Sequence, residues 1–225
     1  MQPDVVSIDI IPPERRGSSS LGNGQRKPMS TVVLHLEGGE DRRVMVPVRA
    51  ARVLDEEQPV LPCSTDRALE FIHAVEGRMC FSQLVDMLSR RDHSTGEARD
   101  KLSAYGYRPQ EVDAAIARAT ECRFLDDSRF TSTFIEERKA RGWGRRKIEL
   151  ELKRRGIDVS EVEGYPEAYF SDDDDLSRAR ELLARRSVPD DRAFERLVRS
   201  LMSKGFSYSV ASEAARERIE SEPRA

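Results

Sequence analysis

Apolar residues recur along this chain with two different periods, and the change between them divides it. Residues 5–11 (VVSIDII) form a β-branched run, and residues 32–37 and 42–48 are two more strand-like runs, the second with valines alternating at 44, 46 and 48. Gly38, Gly39, Glu40 and Asp41 separate the latter two, which predicts a hairpin. Residues 12–28, rich in Pro, Ser, Gly and Arg, read as a flexible connector. The expectation for residues 1–60 is therefore a small, partly disordered β-containing extension. From Asp66 the period becomes helical. Ala68, Phe71, Ile72 and Val75 make one stripe, and Phe81, Leu84, Val85 and Leu88 make another. Ser94 and Glu97 form a capping box that opens the next helix, and Pro109 suits the first turn of the one after, with Val112, Ala115, Ile116 and Ala119 inward.

Residues 124–157 predict two further helices with a break at Gly142–Gly144. Asp126 or Asp127 is placed to cap the first, whose Phe130, Phe134 and Ile135 share a face. The second carries Ile148 and Leu152 four apart and stops at Gly156. With Gly156 at C′, Leu152 falls at C3 and Ile157 at C″, the apolar pair of a Schellman ending. Leu102, Gly106 and Tyr107 repeat that spacing, as do Leu201, Gly205 and Phe206. The glycines are thus 50 and then 49 residues apart, a period expected of an internal repeat. Each ending is followed by another helical stretch, although the one opened by Ser160 and Glu163 is short or irregular because of Pro166. The last unit opens after residues 172–175, has its clearest apolar face at Phe194, Leu197, Val198 and Leu201, and finishes with Val210, Ala211, Ala214, Ala215 and Ile219. The expected fold is mainly α: three tandem three-helix repeats over 66–122, 124–170 and 172–221. Stacked neighbours would give an elongated curved body, with the β-containing extension in front.

The string FLDDSRF, a charged helix and then RGWGRRKIELELKRRGID resembles the central repeat of the RecX family, regulators of the RecA recombinase. The residues that carry the resemblance are Leu125, Asp126, Asp127, Phe130, Gly142, Gly144, Arg145, Arg146, Ile148, Leu152, Arg155, Gly156 and Ile157. A looser likeness extends from about residue 80 to the end. The resemblance implies a non-enzymatic partner of RecA or its nucleoprotein filament, acting in DNA repair and mostly inhibiting recombinase and ATPase activity.

Composition changes this picture little. Charged residues are 35% and hydrophobic residues 38%, which suits helices with wide solvated faces. A formal net charge of −3 argues against a protein made chiefly to coat nucleic acid. The charge is segregated, however. Nine basic residues lie between Arg138 and Arg155 against Glu149 and Glu151, and eight acidic residues with no basic one lie between Gly156 and Asp175. As a solvated surface, these blocks would simply offset one another. Cys63, Cys80 and Cys122 are an odd number without paired spacing, as in a reducing compartment. With no signal-like N-terminus and no apolar run of spanning length, the expectation is a cytoplasmic protein, monomeric and without membrane contact.

Catalytic chemistry finds no constellation. Asp126 and Asp127 are explained as caps, and the aspartates at 172–175 by the dipole of the helix they precede. His35, His73 and His93 are scattered at spacings unsuited to a metal, and phosphate loops and nucleophile elbows are absent. No cofactor, metal or enzymatic activity is expected. The candidate interaction residues are Arg138, Arg141, Trp143, Arg145, Arg146, Lys147, Arg154 and Arg155, with Asp126, Asp127, Gly106, Gly156 and Gly205 as structural positions. Cations crowded at a turn and a helix start repel one another and oppose the helix dipole, so an anionic partner would stabilise them. Trp143 between two glycines is expected to be at least partly exposed, ready to stack on a partner or a base. Its alternative is to fold back onto its own repeat, leaving the arginines as solubility charge. A nucleic-acid-binding helical protein working directly on phosphates remains the competing class, and weak DNA contact is compatible with both.

Overall fold

The computed structural model describes residues 3–13, 27–189 and 191–221, and divides the chain into two compact units, 1–125 and 126–225. In the first unit, β1 (Asp4–Ile11) pairs antiparallel with β2 (Met29–Leu36), which pairs antiparallel with β3 (Asp41–Pro47). The chain then forms α1 (Val48–Glu56), and the two-residue β4 (Cys63–Ser64) lies against the other side of β1, in the order β3-β2-β1-β4. Register places Ile8 opposite Leu34, and Val32 opposite both Ile10 and Val44. That face meets Ala50, Ala51 and Leu54 of α1 and Ala68, Ile72 and Val75 of α2 (Thr65–Leu88) in one core. The small β-containing region expected at the front of the chain is thus present, as a sheet packed on α1 and α2. The expected strand over 42–48 ends at Pro47, and Val48 starts a helix that the alternation had concealed. Of the expected connector, residues 14–26 lie outside the described residues.

Helix α2 is 24 residues long because it serves two cores in succession. Past its middle the apolar side turns, and Cys80, Leu84 and Met87 pack with Ala98 and Leu102 of α3 (Thr95–Ala104) and Val112, Ala115, Ile116 and Ala119 of α4 (Pro109–Glu121). At the changeover sits Glu76, only 1% exposed. Its carboxylate accepts from the Arg108 backbone N–H at 2.9 Å and from Arg108 Nε at 3.1 Å, tying α2 to the start of α4.

The second unit contains α5 (Asp127–Ala140), α6 (Arg145–Arg154), a 3-10 turn (Val159–Glu161), α7 (Asp172–Ala184), α8 (Ala193–Ser203) and α9 (Tyr208–Glu220). Asp126 is the cap of α5, accepting from Arg129 N–H at 2.9 Å, whereas Asp127 is already helical. The short helix expected after Ser160 is only the 3-10 turn, and Asp158 caps it. The missing helix is replaced by an aromatic loop: Phe170 is buried with Phe130, Phe134, Ile135, Ile148, Leu152 and Ile157, with Tyr165 and Tyr169 beside it. Helix α7 begins at Asp172 itself, capped by Ser171, so the aspartate run forms its first turn. Leu183, Leu197, Val198, Leu201, Phe206, Val210 and Ala214 form the core of the last three helices.

Gly106, Gly156 and Gly205 have φ of +91°, +75° and +96°, the left-handed region that a Cβ disfavours. In each case the residue after the glycine donates to the leucine carbonyl: Tyr107 to Leu102, Ile157 to Leu152 and Phe206 to Leu201, at 3.3, 3.0 and 3.2 Å. The glycine N–H itself bonds the carbonyl three residues back, completing the Schellman pattern.

Candidate interaction surface

The turn between α5 and α6 is a fourth ending of the same kind. Gly142 has φ of +75°, its N–H donates to Lys139 at 2.8 Å, and Trp143 N–H donates to Arg138 at 3.0 Å. Here the clasping pair is Arg138 and Trp143 rather than two apolar residues. The Arg138 guanidinium lies 5.3 Å from the Trp143 ring and 4.4 Å from the Phe134 ring, so a cation fills the place of the leucine. A search for leucine four residues before glycine passes over this ending for that reason.

Gly144 is a contact point rather than a hinge. Its N–H donates to Lys204 at 2.8 Å, Arg146 N–H donates to Gly205 at 3.1 Å, and a Cβ on Gly144 would lie 2.6 Å from the Gly205 oxygen. The carbonyl end of α8 thus meets the amide end of α6, and the two helix dipoles join head to tail. This offsets part of the unfavourable placement of cations at the start of α6. Arg178 adds a hydrogen bond to the Trp143 carbonyl at 2.8 Å.

Around this turn the candidate cations separate into two groups. Arg138 and Arg155 are turned inward: their side chains are 14% and 21% exposed, and both stack on Phe134. Burial, together with Arg141 and Arg155 nearby, lowers the pKa of Arg138. Arg155 is further held by Glu151 at 3.2 Å. Arg145 is half committed, donating at 2.8 Å to Glu149, which also accepts from the Tyr165 hydroxyl at 2.7 Å. That bond raises the pKa of Arg145, and burial together with Glu149 raises that of Tyr165. Trp143 is half-buried against its own repeat, with the Lys147 ammonium 4.2 Å from its ring. The outward group comprises Arg141, Arg146 and Arg154, all exposed, with Arg154 only 3.7 Å from Glu151 at its nearest. Two outward residues escaped the sequence reading, Leu150 and Lys153. Their signal was an apolar residue standing on the charged side of α6.

Among the described residues, no group of three or more His, Cys, Asp and Glu is placed to hold a metal ion, and no helix is long and apolar enough to cross a membrane. Residues 126–163 match the family model described as RecX, second three-helix domain, and residues 80–118 match RecX, first three-helix domain. The chain is 31% identical over 134 residues to a regulatory protein RecX of Stenotrophomonas maltophilia, covering 58% of this chain and 81% of that protein. It is 29% identical over 134 residues to one from Vibrio vulnificus, covering 57% and 86%. Two crystal structures share the fold. RecX from Lactobacillus salivarius gives a TM-score of 0.56 at 19% identity, covering 65% of this chain and 99% of that one. A second regulatory protein RecX gives 0.57 at 18% identity, covering 97% and 100%.

Proposed function

The chain belongs to the RecX family of regulatory proteins, and from that membership we propose that it regulates the RecA recombinase by binding its nucleoprotein filament, without catalysing a reaction of its own. The observation that supports this reading is the set of outward cations on the turn and α6. Arg141, Arg146 and Lys153 have no carboxylate at ion-pair distance among the described residues, while Glu149 and Glu151 are taken by Arg145, Arg154 and Arg155. Cations left unpaired in this way steer and hold an anionic partner. Bound to the filament, the protein would suppress strand exchange and ATP turnover in the cytoplasm during DNA repair.

The test is a titration of the protein into filaments of RecA on single-stranded DNA, following ATPase rate and DNA occupancy together. A fall in ATPase at substoichiometric protein is expected. No change in either signal at saturating protein would refute the proposal. A second reading, direct action on DNA phosphates, draws on Lys147 stacked on Trp143, a cation–aromatic pair of the kind that contacts single strands. It requires tight binding to naked DNA with a steep loss as salt rises.

A further inference from the structure

Six residues before its closing glycine, the second helix of every repeat turns one side chain to solvent. In α3 that residue is Asp100 and in α8 it is Arg199, both exposed. In α6 it is Leu150, 52% exposed. The flanking positions differ in the same sense. Arg146, Lys153 and Arg154 of α6 correspond to Gly96, Ser103 and Ala104 in α3, and to Glu195, Met202 and Ser203 in α8. Two sister helices therefore fold without the leucine or these cations, so the repeat architecture does not demand them.

Residues 146, 150, 153 and 154 fall on one face of α6, because they are spaced by four, three and one along a helix. Leu150 opens onto a groove of about 670 Å³ that continues past Ile157 and Val159, with Arg146 and Lys153 on its rim. Both carboxylates at the groove are already engaged. Glu149 bonds Arg145 and Tyr165, and Asp158 accepts from the Ser160 N–H and hydroxyl at 3.0 and 2.7 Å. What remains on the outer face of α6 is an apolar residue, Leu150, flanked by Arg146, Lys153 and Arg154, with Asp158 across the groove close enough to feel the Lys153 charge.

Resting on the reading that this protein docks on a recombinase filament, we infer that the outer face of α6 and its groove form the docking element, and that they receive an acidic protein segment whose apolar side chain seats beside Leu150. Charge complementarity selects the acidic partner, and the leucine selects protein over nucleic acid. A phosphate backbone would neutralise Arg146 and Lys153 but leave Leu150 against water. The groove is lined by no aromatic residue on which a base could stack.

Three variants test the assignment: Leu150→Asp, the pair Arg146→Glu with Lys153→Glu, and Met202→Asp as a control on the matching face of α8. Leu150→Asp places on α6 the residue that α3 already carries, so its melting temperature should match the wild type. Co-sedimentation with RecA filaments should show both α6 variants binding at least about tenfold more weakly and Met202→Asp binding normally. Fluorescence anisotropy on naked single-stranded DNA should separate the variants little. Wild-type binding by Leu150→Asp, or an equal loss in Met202→Asp, overturns the assignment and leaves the regulatory reading intact. So does a charge variant that loses naked-DNA affinity while Leu150→Asp loses nothing, since the face would then be a phosphate contact. If the wild type itself does not sediment with filaments, the regulatory reading fails and this assignment falls with it.

Discussion

At residue 205 two constraints act on one glycine. Its φ of +96° disfavours any Cβ, and a Cβ there would also lie 2.5 Å from the backbone nitrogen and Cβ of Lys147. Gly156→Ala meets the conformational constraint and should cost roughly 1 kcal/mol. Gly205→Ala should cost more, on the order of 3 kcal/mol, because α6 must also move. Urea denaturation of the two variants measures the difference, and equal values would show that the contact at Lys147 is soft. His35 gives a pH effect at the same scale. Its ring nitrogens lie 3.0 Å from Asp9 and 2.7 Å from Asp41 across three strands, and those bonds raise its pKa above 6.5. A raised histidine pKa stabilises the fold fully below the unfolded value, and the contribution is lost as pH rises through the folded value. The stability gap between wild type and His35→Gln should therefore be open near about pH 5 and closed by about pH 9.

Among the elements, α6 separates the cations that hold the fold from those that face outward. Arg138→Ala removes a guanidinium packed between Phe134 and Trp143, so it should lower stability by about 1–2 kcal/mol. Arg146→Glu touches no packed group and places an acid in the first turn of a helix, so stability should hold or rise slightly. Thermal melts distinguish the two. The sequence shows charge and spacing but not the direction of a long side chain, and for this reason Arg138 and Arg155 could not be told from Arg146 or Arg154 beforehand. The glycine endings were legible because both their geometry and their clasp are local. Helix α1 was not, because Val44, Val46 and Val48 continue a strand alternation, and only Ala50, Ala51 and Leu54 betray the change of period. Pro166 marks the third helix of the central repeat as short or irregular. That aromatic residues would close the core in its place depends on contacts tens of residues apart, such as Ser132 with Tyr169.

Over the whole molecule, what sequence periodicity could not foresee is the sharing of cores. Two stripes on α2 were readable, but nothing local says that the first belongs to a sheet and the second to a three-helix unit. Glu76, at their junction, has a raised pKa because burial outweighs its bonds to Arg108. The charge is thus already penalised, and Glu76→Gln, which keeps an oxygen for the Arg108 N–H but turns its amide donors towards Arg108 Nε, should cost about 1–2 kcal/mol at neutral pH. Glu76→Ala leaves those donors unmet in the interior and should cost about 3 kcal/mol. Chemical denaturation of both variants tests this, and a Gln variant as costly as the Ala variant would show that the carboxylate charge itself stabilises the junction.

The meeting of α6 with α8 through Gly144 and Gly205 has a consequence for how the second unit comes apart. The Gly144 and Arg146 amides find their acceptors only when α8 has ended where it does, so the central repeat borrows its starting cap from the far end of a later helix, at Lys204 and Gly205. Such a pair melts as one cooperative block, unlike a solenoid that frays repeat by repeat. Deuterium should therefore enter the Gly144 and Arg146 amides, the interior of α6 and the end of α8 at one common rate, and an α6 that stays protected while α8 opens would refute the shared block.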